Sequence, residues 1–556
     1  MDLLYFVILV SVLIFVHELG HFTFAKIFGI KVLTFSVGFG PKILRLRGRE
    51  TEYCVGLFPL GGFVRMLEES RGEPVLPEDR RRTFEAQPIW RRVLVVLAGP
   101  VMNLIFPVVL YFSVFASEQW YIPPTVGVVL PGHPAEGKLL EGDRVLEVDG
   151  NEIGTFVELQ RYVAQNPGRE IKLKVFRSLG YVDVEVTPEE VREPVGYDQV
   201  ASVGRLGILP HAYAPAIGVS NPDSPAYRAG LRTFDVLTSI GGRPLRHFSD
   251  IAKVLADNRG ETVPVTYLRP RLLEGALGGF ADLAAFEPGV AALTPESSGG
   301  DLFSRTGIES SDLFVAIVPP GSAQAKANIQ RGDKLIKLDD EPIPSWSVLR
   351  ERLFAEPTKP HKLTYVRDGR QDAGTIQLRH ELYVDESGQS HERYALRMEH
   401  WAPTVPEPLV EHPHRYTHAA RIAVTKTAEV ARYMVVSIVQ VVQGKIGLSQ
   451  ISGPIAIYEV AGQEGARGTE YFLWVMAVIS INLGLLNLMP IPVLDGGHLL
   501  FLASEAALRR PLPLRVREVA SLIGMMFLLM LMAVAFKNDV ERRWDTIAGE
   551  LKELLG

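Results

Sequence analysis

The opening segment constrains this chain more than any other feature. From Leu3 to Phe28 the sequence is apolar almost throughout, yet it carries His17, Glu18 and His21 near its end. A helix of about 20 such residues crosses a bilayer core about 30 Å thick. Ionisable side chains at that depth cost up to about 2.5–3.5 kcal/mol each on insertion scales. Three within one helical turn therefore point to a use. The residue before the run is Asp2, not a basic cluster, and no small-residue cleavage site follows, so the segment reads as a retained helix rather than a secretory signal.

Three further segments have the length and apolarity of spans: about Val93–Ala116, Tyr471–Leu488 and Val519–Phe536. The first two spans are separated by a loop rich in Lys and Arg, including Arg80, Arg81, Arg82, Arg91 and Arg92. The last two are separated by Arg509, Arg510, Arg515 and Arg517. An excess of basic residues marks the cytoplasmic side, so both loops are expected there and the region of roughly 120–470 on the other face. Ala419–Val442 is also fairly apolar, but Arg421, Lys426, Glu429 and Arg432 suit an amphipathic helix on the membrane surface.

Composition bounds the remaining choices. The chain has 556 residues, 47% of them hydrophobic, which calls for both membrane and soluble parts. A net charge of -6 leaves no basic excess for nucleic acid. Cys54 is the one cysteine, so neither a disulfide framework nor a thiolate zinc site is available.

The middle of the chain repeats. Segments starting at Gly127, Gly218 and Ala316 each predict a short strand, a Pro-containing loop, a short helix, an acidic turn and a second strand. Asp143, Asp235 and Asp333 fall at equivalent turns. The second copy has Phe234 where a turn glycine is expected. The Gly- and Ala-rich stretch near 274–300 reads as a mobile insertion. These copies look like the PDZ domains of bacterial proteases.

His17-Glu18-Leu19-Gly20-His21 places two imidazoles four residues apart, on one face of a helix. That spacing suits one metal ion, with Glu18 beside its water. A catalytic zinc needs a third protein ligand and an open position. The end of the third span, Asn487 through Pro490, Pro492, Asp495 and His498, is brought to the same side by the topology, and both Asp495 and His498 are eligible.

With HELGH and Leu494-Asp495-Gly496 in place, the chain resembles the site-2 protease family, in its RseP-like bacterial branch with PDZ domains. Ala98-Gly99-Pro100 with Asn103, Gly38-Phe39-Gly40-Pro41 and Pro59-Leu60-Gly61-Gly62-Phe63-Val64 add to the likeness. The resemblance implies an intramembrane zinc metalloendopeptidase of the bacterial inner membrane, with Zn2+ held by His17, His21 and Asp495, and Glu18 as general base. It gives Asn487 a part in binding substrate. It implies regulated intramembrane proteolysis of single-span membrane proteins, such as an anti-sigma factor, or of signal-peptide remnants. The branch usually carries two PDZ domains, and three are counted here.

The expected fold is a polytopic α-helical membrane protein with about four transmembrane helices, a membrane-associated β-hairpin and three inserted PDZ-like α/β domains. The expected boundaries are 1–29 for the first span, 30–92 for the hairpin and basic loop, 93–117 for the second span and 122–206, 207–305 and 306–400 for the PDZ-like copies. The surface helical region takes 415–465, the third span with its LDG motif 470–502, the fourth 518–537 and the tail 538–556. The Ile30–Met66 region, rich in glycine, aromatic and β-branched residues, could offer an edge strand to an unwound substrate. The PDZ-like copies would filter substrates by size, bind exposed carboxyl ends, or act as spacers, in that order of preference. Two rival readings are a membrane-anchored PDZ scaffold with a structural metal and no proteolysis, and a transporter with polar groups along an ion path.

Overall fold

The computed structural model describes residues 1–67, 75–178, 180–194, 200–256, 258–272, 284–384, 390–444, 447 and 451–544. The chain forms two compact units, one of residues 1–119 with 414–556 and the other of residues 120–413.

The first unit is helical. Its helices are α1 (Asp2–Ile27), α2 (Ile89–Ser117), α3 (Arg415–Val442), α4 (Pro454–Arg467), α5 (Thr469–Asn487), α6 (Asp495–Leu508) and α7 (Leu514–Arg542). Among the described residues α1, α2, α5 and α7 are long and apolar enough to cross a membrane. On α1 the buried Leu9, Leu13, Val16 and Gly20 recur at helical spacing and form one inward stripe. Leu9 and Leu13 join Leu110, Tyr111, Phe472, Met476 and Ile481 in a single core cluster. Ala423 of α3 is buried in the same cluster. Helix α3 is not among the four candidate spans. Asp539 of α7 is fully buried and accepts the backbone N–H groups of Gly453, Ile455 and Ala456, which fastens α7 to the start of α4.

The expected 470–502 region holds two helices, the first of which matches the expected span Tyr471–Leu488. Helix α5 ends at Asn487 and α6 begins at Asp495. Pro490 and Pro492 lie between them. Each lacks a backbone donor and disfavours helical geometry in the residue before it, so the chain must leave the helix here.

Two strands, β1 (Val32–Arg47) and β2 (Glu52–Met66), follow α1. They form more than a plain hairpin. Thr34 lies opposite both Arg65 and Glu52, and Val37 opposite both Gly62 and Val55. The Thr34–Val37 limb is thus flanked on both sides, which leaves Gly62–Met66 outermost beside it. Gly38 and Gly40 adopt φ of 90° and 85°, which a residue with a Cβ rarely does, and so permit the fold-back. Glu50, in the turn, accepts from Arg82 and Lys26, and Arg82 beside it holds its carboxyl at about 2.

The second unit holds three repeats, each with its own buried core. Each has a four-stranded antiparallel sheet of the same order. In the first copy the order is Asn151–Glu152, Arg144–Val148, Ile171–Arg177, Gly180–Val186. One helix packs with each sheet: Phe156–Ala164, Phe248–Leu255 or Trp346–Ala355. A short strand far along the chain closes each copy. Ile208–Leu209 pairs with Val128–Val129, Glu309–Ser310 with Ile217–Gly218, and Glu399–His400 with Val315–Ile317. The first two closing strands lie beyond the expected ends at 206 and 305. A two-residue strand carries too little alternation to be read from sequence. Within the expected insertion near 274–300, Ala284–Leu293 is a regular strand that pairs residue for residue with Val263–Leu272. Residues 273–283 lie outside the described residues.

The three acidic turns share one device. Asp143, Asp235 and Asp333 are buried, and each receives two guanidinium bonds, from Arg177, Arg269 and Arg367 respectively. Each arginine also donates to a carbonyl, of Lys138, Gly230 or Asn328. Such bidentate pairing balances a buried carboxylate. Phe234 takes the left-handed conformation at φ 76°, as Gly142 and Gly332 do at 89° and 93°. That strain costs on the order of 1–3 kcal/mol. Burial of its ring against Ala216, Phe314, Ala316 and Trp401 offsets it by a similar amount, about 1.5–3 kcal/mol.

Candidate metal centre

The site is built where α1 crosses α2. Gly20 and Gly99 permit that crossing. A Cβ on Gly20 would stand 2.4 Å from the Ala98 carbonyl oxygen. A Cβ on Gly99 would stand 2.3 Å from His21 Nε2 and 2.9 Å from His17 Cε1. Both imidazoles therefore occupy the space a side chain at position 99 would fill.

Helix α6 brings Asp495 to the same point. Its first turn is tucked under the loop that precedes it. A Cβ on Gly496 would be 2.2 Å from the Met489 carbonyl oxygen, and one on Gly497 would be 2.4 Å from that of Ile491. Asp495 stands in the first turn of α6, where the helix dipole favours a carboxylate. Farther along α6, Glu505 receives a bidentate bridge from Arg92 of α2 at 3.1 and 2.6 Å. Both partners are largely buried, so the bridge fixes α6 against the helix that faces the imidazoles.

The three groups converge closely. His17 Nε2 lies 3.1 Å from Asp495 Oδ2, His21 Nε2 lies 3.6 Å from Asp495 Oδ1, and the two Nε2 atoms are 3.2 Å apart. A tetrahedral ion with bonds of about 2.0–2.1 Å separates its ligands by about 3.3 Å, so the donor set fits zinc. His21 Nδ1 lies 2.8 Å from the Val95 carbonyl oxygen. That oxygen can only accept, so the proton sits on Nδ1 and Nε2 keeps its lone pair. His17 Nδ1 faces the Asn103 amide at 3.2 Å.

Glu18 lies within electrostatic reach of His17, His21 and Asp495. It also borders the outer limb of the folded-back sheet: a Cβ on Gly62 would be 3.0 Å from Glu18 Cγ and 2.7 Å from Ile14 Cγ2. Of the two eligible ligands near the end of the third span, Asp495 meets the imidazoles, whereas His498 is exposed on α6. Asn487 sits half-buried at the end of α5, and no hydrogen bond of its side chain is present among the described residues. Sequence reasoning missed the positioning groups Gly20, Val95, Arg92 and Glu505. The small-residue step Ala98-Gly99-Pro100 was the one signal of a close helix crossing.

Gly99→Ala is expected to drive the His21 ring aside and lower metal affinity at least about 10-fold while the protein stays folded. Metal content after dialysis against a chelator, compared with wild type at matched melting temperature, measures this. Full retention of metal would contradict the crossing argument.

The family model of peptidase family M50 matches residues 5–531. The chain is 30% identical over 552 residues to the "Regulator of sigma-E protease RseP" of Escherichia coli strain K12, covering 97% of this chain and 98% of that protein. It is 28% identical over 547 residues to a protein of Vibrio cholerae named for zinc metalloprotease activity, covering 97% and 98%. Among solved structures, the PDZ domain of an SdrC-like protein from Listeria innocua overlaps 16% of this chain and 92% of its own, at 22% identity and a TM-score of 0.13. With its four candidate spans, the chain is a zinc metalloprotease of the membrane and belongs to peptidase family M50, the site-2 proteases.

Proposed function

We propose that His17, His21 and Asp495 hold the zinc and that the chain cuts peptide bonds in or beside the membrane-spanning segments of single-span proteins. The convergence of two imidazole nitrogens and one carboxylate within 3.6 Å of one another carries this reading. Zinc bound there supplies a Lewis acid that lowers the pKa of water and polarises the scissile carbonyl. Glu18 accepts the proton of the attacking water and returns it to the leaving amide nitrogen. Asn487, at the end of α5, is assigned the role of an amide donor to substrate backbone.

A spanning helix hides its peptide bonds in its own hydrogen bonds, so substrate must be unwound before attack. The outer limb Gly62–Met66 supports a way to do this. It flanks the Thr34–Val37 limb and borders Glu18, so an extended segment added along it would lie beside the attacking group. The apolar outer residues of the sheet, among them Phe39, Ile43, Leu44, Leu46 and Phe58, are exposed and suit contact with lipid. We assign the protein to the inner membrane, with the metal site toward the cytoplasm and the three repeats on the far side, from the basic loops that flank the spans.

We read the repeats as PDZ-like domains that admit substrates already trimmed outside the membrane. An anti-sigma factor relieved of its outer domain and a signal-peptide remnant both have that form. The relatives named for regulation of sigma-E favour the former.

Glu18→Gln is expected to keep zinc at wild-type stoichiometry and to lose cleavage of a transmembrane peptide by about 10²–10⁴-fold. Metal analysis and single-turnover cleavage measure the two, and near-normal cleavage would sink the mechanism. A substrate panel separates the remaining proposals. A variant lacking residues 120–413 should accept untrimmed single-span protein that wild type refuses. Proline at Arg65 should slow cleavage of helical substrates more than of pre-unwound ones, because it removes a backbone donor from the edge limb and leaves the Val64 N–H to Glu18 in place. Equal refusal of untrimmed substrate, or equal slowing of both substrate classes, would remove the filter or the strand-addition reading respectively.

A further inference from the structure

We propose that Asn103 is a positioning residue for the metal centre: its amide oxygen accepts the Nδ1 proton of His17 and thereby keeps His17 Nε2 free to bind zinc. This rests on the zinc reading given above and deepens it.

The two imidazoles are supported differently. His21 has the Val95 carbonyl oxygen, which has no alternative to accepting. At His17 Nδ1 the partner among the described residues is the Asn103 side chain, with Nδ2 at 3.2 Å. Asn103 is fully buried, and among the described residues its Oδ1 has no hydrogen-bond partner. That arrangement suits a ring whose proton is on Nε2. It does not suit a ligand, because a neutral imidazole bound through Nε2 carries its proton on Nδ1. An amide nitrogen cannot accept that proton. A half-turn of the amide exchanges two atoms of nearly equal size and puts Oδ1 opposite Nδ1 with no other movement. The orphaned oxygen thereby gains its donor, and the His17 N–H gains an acceptor beside the fully buried Asn103 side chain.

The backbone at this point is held for the purpose. Pro107 has no N–H, so the Asn103 carbonyl lacks its partner one turn ahead. Ser480 of α5 donates to that carbonyl at 2.8 Å. Gly99 stands one turn before Asn103, where both rings pass. Helix α2 therefore carries the acceptors for both histidines, one from its main chain and one from a side chain.

The test measures zinc affinity directly, by competition with a chromophoric chelator, on the purified full-length protein. The proteins compared are wild type, Asn103→Leu, Asn103→Ala and Asn103→Asp, with His17→Ala and His21→Ala as references. Outer hydrogen-bond partners of metal-bound imidazoles typically contribute 10–100-fold in affinity. Asn103→Leu and Asn103→Ala should therefore lose about 10–100-fold, with metal-free melting temperatures close to wild type. Asn103→Asp, which retains an acceptor oxygen, should recover most of the loss. Wild-type affinity in either apolar variant that folds would overturn the proposal, as would a loss in Asn103→Asp as large as in Asn103→Leu. If wild type binds zinc no better than the two histidine references, the zinc site itself is misplaced and the proposal falls with it.

Discussion

The close approach of two helices is the constraint on which the site depends. Gly20 and Gly99 leave no side chain between α1 and α2, and the two imidazoles fill the resulting space. Each imidazole presents one nitrogen toward Asp495 and the other toward a group of α2. The same crossing that admits the imidazoles puts the Val95 carbonyl and the Asn103 amide against them.

A second constraint concerns the carboxylate. A continuous helix from α5 into α6 would follow one axis past the imidazoles. The break at Pro490 and Pro492 lets the chain turn, and Gly496 and Gly497 let the new helix begin tightly against the loop it has just left. The bridge between Arg92 and Glu505 then anchors the far part of α6. Asp495 is thus positioned by features on both sides of it. Residue 524 of α7 is also glycine, and a Cβ there would stand 2.0 Å from the Pro492 carbonyl oxygen, so the last span packs directly on this loop.

What was legible in the sequence was the chemistry that the membrane makes expensive. His17, Glu18 and His21 stand out because a hydrophobic run rarely carries them. Spacing alone left Asp495 and His498 equally eligible, since the choice depends on which face of α6 meets α1. The acidic turns of the repeats are visible in the sequence, whereas their arginine partners lie on distant strands. Yet Asp143 with Arg177, Asp235 with Arg269 and Asp333 with Arg367 share one separation of 34 residues, which the sequence displays openly. The fold-back of β1 and β2 could not be read, because it depends on which limb each residue pairs with. The Gly- and Ala-rich composition near 274–300 misled in the opposite direction over Ala284–Leu293. Small residues there still form a regular strand, because a long partner, Val263–Leu272, supplies every pairing.

The account stands or falls on the donor atoms around the metal. X-ray absorption at the zinc edge of the purified full-length protein reads them directly. The predicted first shell is nitrogen and oxygen at about 2.0–2.2 Å, with the outer scattering of two imidazoles. A sulfur scatterer at about 2.3 Å, which could come from Cys54 or a methionine, or the scattering of three imidazoles, which would bring in a third histidine such as His498, would contradict it.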